Sequence, residues 1–528
     1  MIDLGMGLLV SVWTAFLFLI LTEKPLGALQ QSGYKNRVFL DWLTRKNNML
    51  FNRLCVLSLC LALMSAVTTL CFSFLGETIA LLISAVPYIG LLLAFRFADG
   101  RYALKVRTAI TGRLLRLILV YYFLTACVSY TLIAFLSFLA AVNGSQIYRF
   151  VQFVPFAIMP MLTPFLLCLA NGICSPFENA RNKKFVKRAG QVLDETEIIR
   201  VGIVGSYGKT SVKNILKTLL LEKYAVIETP ESYNTPIGIA KTVFSESFTG
   251  KQVLIAEMGA RKPKDISELC EMVKPDYAVF TGVCEQHIET FGCIENVFQE
   301  KSEILRCGAK KVVCGENLRG RVEETETVSF SVKAEEILLG ATKTEFVLTL
   351  GGKSIKICLP LLGKVAVENA ALAASLAFEM GLTAEEIERG FEKVQPVPHR
   401  LQLLEKAGVY ILDDGYNCNP VGAVAALEAL GRFSGRKCVV TPGIVECGVL
   451  EEDINGELGE KIAQVAADKV ILIGDTLVGA VKKGFEKAGG NLDTLVIAHD
   501  LENAKEVLAT WLLPSDAVLF MNDLPDIY

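Results

Sequence analysis

The 528-residue chain has no cysteine pair of the C-x-x-C kind. That excludes a zinc ribbon, and the scatter of its fifteen cysteines offers no disulfide framework, so reduced thiols in a cytosolic compartment are expected. Histidine is nearly absent: His287, His399 and His499 are the three in the chain. An excess of one charge is absent too, since the net charge is -3, and no broad field exists to draw a nucleic acid. Internal repeats and low-complexity segments are missing.

Apolar surface, by contrast, is abundant. Hydrophobic residues make up 52% of the chain and mean hydropathy is +0.43, high for a soluble enzyme. The length implies roughly three domains. Charge-poor stretches at 4–21, 54–75, 79–95, 117–142 and 150–174 are each near or above the ~17–25 residues of a spanning helix, which predicts about five transmembrane helices in a membrane domain over 1–175. The third stretch carries Pro87, and the fifth carries Pro155, Pro160 and Pro164, so a kink is expected there. The first lacks a basic leader and a clear small-residue cleavage site, which favours a span over a cleaved signal peptide. Apart from Asp3 near one end, no ionisable residue falls within a span, which weighs against an ion or proton pathway.

Basic residues fix the expected orientation. Lys24, Lys35, Arg37, Arg45, Lys46 and Arg53 lie between the first two stretches, and Arg96, Arg101, Lys105, Arg107, Arg113 and Arg116 between the third and fourth. Arg181, Lys183, Lys184, Lys187 and Arg188 follow the fifth, in a basic linker at 176–197. The remaining two loops carry only Arg149. The positive-inside rule then places a multi-pass protein in the plasma membrane, with its N-terminus outside and everything beyond the linker in the cytoplasm.

From residue 198 the pattern changes to short apolar runs bounded by Gly, Asp or Asn and separated by helical stretches. IIRVGIVG, QVLIAEMG, YAVFTGV and KKVVCG are the first strand candidates; VYILDDG, KCVVTPG, KVILIG, TLVIAHD and AVLFMND are the later set. Pro263 and Pro420 sit where first helical turns are expected, and Thr383 with Glu386 forms a capping-box pattern. Alternation of this kind predicts doubly wound α/β structure with ligands at the carboxyl ends of strands. A break at PVPHR divides it into domains at 198–397 and 398–528.

Gly205-Ser206-Tyr207-Gly208-Lys209-Thr210-Ser211 joins an expected strand to an expected helix. Backbone N–H groups there can cradle phosphate, with Lys209 on the β/γ-phosphates and Thr210 on Mg²⁺. The loop is the shorter G-x-x-G-K-[TS], because Ile203 stands where the longer motif has its first glycine; a chance turn with a lysine is the alternative. Glu257 closes an apolar run, and it either ligates Mg²⁺ or caps the next helix. His287 past another strand and Lys301 on a helix have bland readings, a structural histidine and a solvated lysine. Arg400 could reach a phosphate across the domain junction, while Asp414 and Asn417 could contact ribose and base or simply form the turn before Pro420.

In this order the pieces resemble the Mur ligase family, ATP-dependent amide-forming ligases of peptidoglycan precursor synthesis, and most of all its D-alanyl-D-alanine-adding branch. GSYGKTS, SYNTPIG, AEMGA, H-x-x-x-F-G, Lys301-Ser-Glu-Ile, Asn369-Ala-Ala, HR at 399–400, DDGYNCNP and the Glu446-Cys-Gly turn carry the resemblance, over about 198–528. It implies a membrane-anchored form: an α-helical transmembrane domain, then a P-loop Mur ligase central domain and a Rossmann-like C-terminal domain. Gly205, Ser206, Gly208, Lys209, Thr210, Ser211, Asn369, Arg400, Asp414 and Asn417 would bind ATP. Thr210 and Glu257 would hold one Mg²⁺, and His287 with a carbamylated Lys301 a second; Lys209, Lys301 and His287 would be catalytic. The reaction implied is attack of a substrate carboxylate on the γ-phosphate, then displacement of phosphate by an amine.

Departures accompany the resemblance. The family's N-terminal UDP-binding domain is absent and the apolar region stands in its place, which suggests a lipid-linked, muropeptide-like acceptor. Val365-Ala366, Thr441-Pro-Gly and the closing FMNDLPDIY differ from the family's usual residues, and the last two leave the amine, an amino acid or dipeptide, open. The four-Cys zinc insertion of one branch is missing. An ATP-driven transporter or flippase and a non-catalytic nucleotide-binding module are the rival readings, the former without an ABC-type signature.

Overall fold

β-branched and apolar runs closed by glycine or an acidic residue fold as buried parallel strands, because a strand covered on both faces has no use for polar alternation. In a computed structural model, all nine expected runs are strands. The structure describes residues 4–19, 21–44, 49–72, 77–99, 108–143, 154–230, 233–416, 418–474 and 476–522. They form two units, one ending at Arg181 and one spanning Asn182–Asp523.

The second unit begins with a sheet of six parallel strands: β1 (Ile199–Val204), β2 (Val226–Glu228), β3 (Val253–Glu257), β4 (Tyr277–Phe280), β5 (Lys311–Cys314) and β6 (Val328–Phe330), in the order β2-β3-β1-β4-β5-β6. Successive residues serve opposite faces. Ile203 and Ile255 pack with Val212, Leu216, Ala373 and Leu376 of helices Lys209–Leu220 and Lys364–Glu379. Val204 and Ala256 pack with Ile239, Ile266 and Val297 on the other side. The chain leaves β1 towards β2 on one side of the sheet, whereas neighbouring β4 leads on to β5 on the other, so the carboxyl end of β1 is at a topological switch point, where such sheets bind ligands.

A three-stranded antiparallel sheet, β7 (Ala334–Leu339), β8 (Thr344–Leu350) and β9 (Lys353–Leu359), buries one face in the same core through Phe346, Leu348, Ile355 and Ile357. The last sheet holds β10 (Gln402–Lys406), β11 (Val409–Asp414), β12 (Lys437–Thr441), β13 (Lys469–Ile473), β14 (Leu495–Ala498) and β15 (Ala517–Met521), in the order β10-β11-β15-β12-β13-β14. Only β10 runs antiparallel there, folded onto β11 by the Ala407-Gly408 turn with both φ angles positive. β2, β6, β7–β9 and β10 were not among the expected strands. β7–β9 alternate apolar with charged residues and β2 and β6 are three residues each, so none has the uninterrupted apolar run of a central parallel strand.

Two of the three helix-start expectations hold. Thr383 and Glu386 form a reciprocal capping box, and Pro420 occupies the first turn behind Asn419, whose Oδ1 accepts from Gly422 N at 3.0 Å. Pro263 does not start its helix. The chain turns first through Lys264 at φ 74°, and the helix begins at Asp265, whose Oδ2 accepts from the N–H groups of Arg261 and Lys262.

The first unit is helical: Leu4–Leu19, Glu23–Gln31, Asn36–Thr44, Leu50–Phe72, Glu77–Asp99, Gly112–Asn143 and Val154–Asp194, the last running on into the second unit. Among the described residues, Gly112–Phe135 and Ala157–Asp194 are long and apolar enough to cross a membrane, and the bent pair Ser11–Leu19 and Glu23–Gln31 would make three. Leu50–Met64 and Val86–Ala98 are apolar parts of the helices Leu50–Phe72 and Glu77–Asp99, so the described residues neither supply nor exclude the rest of the five expected spans. Parts of the expected spans and loops, at 20, 45–48, 73–76, 100–107 and 144–153, lie outside the described residues. The segment read as a loop after the first span is two short helices, docked through Leu29, Phe39 and Leu43 into the core of this unit. Asn36 and Asn171 fasten it: Asn171 Nδ2 donates to Asn36 Oδ1 at 2.7 Å, and Asn36 Nδ2 donates to the Cys168 carbonyl at 3.0 Å. Residues 176–194, read as a linker, continue the last helix, and Val186, Ala189 and Leu193 join the core of the second unit.

Candidate active site

The β1 strand ends at Val204, and the next four residues turn into helix Lys209–Leu220. Gly208 has φ 77°, and a Cβ there would lie 2.3 Å from Asn369 Oδ1 on the packed helix Lys364–Glu379, so the turn needs glycine. Ser206 N donates to the Gly282 carbonyl at 2.7 Å, which ties the loop to the end of β4. The loop therefore sits rigidly at the switch point, ahead of the free N–H groups of a twelve-residue helix. Ser211 follows Thr210 in the first turn of that helix.

Two lysines converge on this loop, and a third lies one helical turn away beside Glu257. Lys209 Nζ donates to the carbonyls of Gly205 at 2.7 Å and Ser206 at 3.3 Å. Lys301, on helix Ile294–Ser302, donates to the same Gly205 carbonyl at 3.1 Å. Lys213, buried one turn after Lys209, lies 3.4 Å from Glu257 and donates to the Thr229 carbonyl at 2.8 Å. Burial pulls the Lys301 ammonium down to about 7, helped by the Lys209 charge, and burial lowers Lys209 as well against the pull of Glu257. Burial works to raise Glu257, yet Lys209 and Lys213, with hydrogen bonds from Asn234 and Thr210, hold it below its ordinary value. One carboxylate thus faces several buried cations, an arrangement suited to a polyanion.

The donor set fits Mg²⁺ and nucleotide phosphates. Register pairs Ile203 with Glu257, which brings the ends of β1 and β3 side by side. Thr210 Oγ1 donates to Glu257 Oε2 at 2.9 Å, and Asn234 Nδ2 donates to Glu257 Oε1 at 3.1 Å, so hard oxygen donors meet at one point. The buried Ser206 hydroxyl in the loop has no hydrogen-bond partner, and the Cys284 thiol is the polar group beside it. Among the described residues no three His, Cys, Asp or Glu side chains cluster as a metal site. A second ion near Lys301 therefore needs an added anionic group there.

His287 itself adopts a left-handed conformation, φ 62°, just before helix Ile288–Phe291. Its Nδ1 lies 2.7 Å from Glu446 Oε2. Burial lowers its pKa, Glu446 opposes that, and Lys301 and Lys209 push the same way as burial. Arg400 enters from the start of the last domain: Nη2 donates to Thr210 Oγ1 at 3.4 Å, Nη1 donates to the Tyr416 carbonyl at 3.1 Å, and the guanidinium stacks on Tyr416. Asp414 ends β11 and accepts from Leu401 N at 3.0 Å. Asn417 lies outside the described residues. Lys209, Thr210, Glu257, Lys301, Asn369 and Arg400 thus gather around one loop, His287 is near enough to feel Lys209 and Lys301, and Asp414 is tied to the site through Arg400. Sequence reasoning missed Lys213, Asn234 and Glu446 as site residues. The only signal for Lys213 was its position one turn after Lys209 on an otherwise apolar helix face.

Burial raises the Asp414 carboxyl to about 6. Between about pH 4 and 6 the folded chain keeps a proton that the unfolded chain has lost, so stability falls as pH rises through that window. Asp414→Asn, which can still accept from Leu401, should melt like wild type near pH 4 and above it at pH 7, by at most about 3 kcal/mol. Melting curves in one detergent across that range test this; equal wild-type and variant curves at pH 7 would refute it.

The chain is similar to known ligases over this unit. The Mur ligase middle domain matches residues 203–377, and the Mur ligase glutamate ligase domain matches residues 399–522. The UDP-N-acetylmuramoyl-tripeptide–D-alanyl-D-alanine ligase of Bacillus subtilis (strain 168) is 27% identical over 304 residues, 54% of this chain and 66% of that protein. Its counterpart in Escherichia coli (strain K12) is 27% identical over 290 residues, 52% of this chain and 64% of that one. The chain thus matches just under two thirds of the length of these relatives. The structure of MurF ligase from Thermotoga maritima in complex with ADP superposes with a TM-score of 0.58 at 26% identity, over 65% of this chain and 80% of that one. Through its middle and glutamate ligase domains, which follow a different N-terminal region, this chain belongs to the Mur ligase family.

Proposed function

We propose that this chain is an ATP- and Mg²⁺-dependent ligase that joins a carboxylate of a peptidoglycan precursor to an amine through an acyl phosphate. The observation that carries this is the meeting of Thr210, Glu257 and Arg400 beside the Gly205–Gly208 loop, with Arg400 supplied by the other domain. Lys209 would exchange its two backbone carbonyls for phosphate oxygens, and Asn369 and Asp414 would line the nucleotide. Thr210 with Glu257 would hold one Mg²⁺ and His287 with a Lys301 carbamate a second; bound there, they would neutralise charge on the transferring phosphoryl group. A Lys301 amine with its pKa near 7 is available as the free base to add CO₂, giving the carbamate and one proton. The substrate carboxylate would then attack the γ-phosphorus as ADP leaves, and the amine would displace phosphate and lose a proton.

In the same reading the acceptor is muropeptide-like and lipid-linked, and the amine is an amino acid or dipeptide. The apolar helices anchor a multi-pass protein in the plasma membrane, N-terminus outside and ligase unit in the cytoplasm. Exposed Trp13, Phe16, Leu59, Leu119, Phe123 and Leu169 support a lipid-facing surface. A transporter or a silent nucleotide-binding module is not favoured, because the phosphate loop, the Glu257 oxygens and Arg400 form one ligase-type site in a Mur ligase fold.

The test is phosphate release from ATP by detergent-purified protein, with UDP-linked and lipid-linked muropeptides and a panel of amines, and mass spectrometry of the product. Release that needs both acceptor and amine, with a product heavier by the amine less water, is expected. Release indifferent to both would overturn the ligase reading, and turnover of UDP-linked acceptors alone would overturn the lipid-linked one.

A further inference from the structure

We infer that Glu446, from the last domain, is the positioning residue that aims His287 of the middle domain at the second metal site. The inference rests on the two-ion reading given above. Glu446 lies in the loop after β12, and His287 lies after β4, so the contact crosses the domain junction. Nδ1 of His287 and Oε2 of Glu446 are 2.7 Å apart, with both side chains largely shielded, at 13% and 19% exposure. A carboxylate only accepts, so Nδ1 carries the proton and the lone pair is left on Nε2. This is the arrangement in which a second carboxylate fixes the tautomer and ring direction of a metal-binding histidine.

The backbone around the pair is built to hold it. His287 and Glu446 both adopt left-handed conformations, with φ 62° and 64°, which are uncommon for non-glycine residues and most of all for a glutamate. Glu289 N reaches the Glu446 carbonyl at 3.5 Å, and the Cys447 thiol donates to the Glu285 carbonyl at 3.6 Å. Gly448, at φ 58°, packs so closely that a Cβ would lie 2.8 Å from Glu289 N. Residues 446–448 thus clasp residues 285–289 along their length. The consequence is that the second metal site is complete only when the two domains are together. Nucleotide held by Arg400 from one side and an ion held by His287 from the other would then stabilise the same closed arrangement.

The experiment counts Mn²⁺ bound to the full-length, detergent-purified chain by electron paramagnetic resonance, with a non-hydrolysable ATP analogue and bicarbonate present. Wild type should bind two ions. Glu446→Ala should keep the first and bind the second about 10-fold or more weakly. Glu446→Gln, whose carbonyl still accepts from Nδ1, should restore much of that loss. Melting curves of both variants separate a folding defect from a metal defect. Second-ion affinity unchanged in Glu446→Ala overturns the proposal, and so does an equal loss in Ala and Gln variants. A single ion in wild type with analogue bound overturns the two-ion reading beneath it, and failure to bind the analogue overturns the ligase reading itself.

Discussion

Lys209→Met should lower ATP-dependent phosphate release by at least about 10²–10³-fold and leave the fold intact. The Lys209 ammonium spends itself on two backbone carbonyls, those of Gly205 and Ser206. Those bonds do little for stability, because burial already works against the charge. In the nucleotide-bound state the same cation would face phosphate oxygens in a site with little water, where one preorganised charge is worth several kcal/mol. Methionine fills a similar volume and removes the charge. The melting temperature should therefore hold or rise while turnover collapses. Turnover within tenfold of wild type would remove Lys209 from the phosphate site.

Glu257→Ala should damage both stability and activity, and the two can be separated. Glu257 and Lys213 are each 1% exposed, and Glu257 also faces Lys209. Removing the carboxylate leaves buried cations without their counter-charge, a loss of about 3–5 kcal/mol. It also removes the oxygen that receives Thr210. Lys213→Met in the same chain should restore much of the melting temperature, since a buried pair replaced by apolar side chains costs little. Phosphate release should stay lost, because the oxygen donor is still missing. A double variant as unstable as Glu257→Ala would show that the pair is not the source of the instability. A double variant that regained turnover would show that Glu257 ligates nothing the reaction needs.

The parts of the site legible in the sequence are those whose geometry is local. A strand, a glycine turn and a helix start bring Gly205, Gly208, Lys209 and Thr210 together within a few residues, so the phosphate loop could be read directly. Glu257 was legible because a strand's last residue points at whatever its neighbouring strand ends with. His287 and Lys301 were singled out but had no partners in sequence. Their meaning comes from the Gly205 carbonyl that Lys301 touches and the Glu446 carboxylate that His287 touches, each from a distant segment. Lys213 was not singled out, because nothing near it in the sequence is its partner. Only the packing of its helix on β3 turns it towards Glu257.

The apolar third divides in the same way. Its helical character followed from composition, since long charge-poor runs have few alternatives. Its helix boundaries did not, because the residues after the first span fold as two amphipathic helices, and 176–194 continue a helix begun far upstream. A polar, basic stretch reads as a linker until one of its faces finds a core, here through Val186, Ala189 and Leu193. The sequence by itself determined the nine long apolar strands, the phosphate loop and the family resemblance, all written in contiguous residues. Tertiary structure alone decided which lone charges meet, because the free energy of a buried lysine or carboxylate depends on neighbours that the chain brings together only by folding.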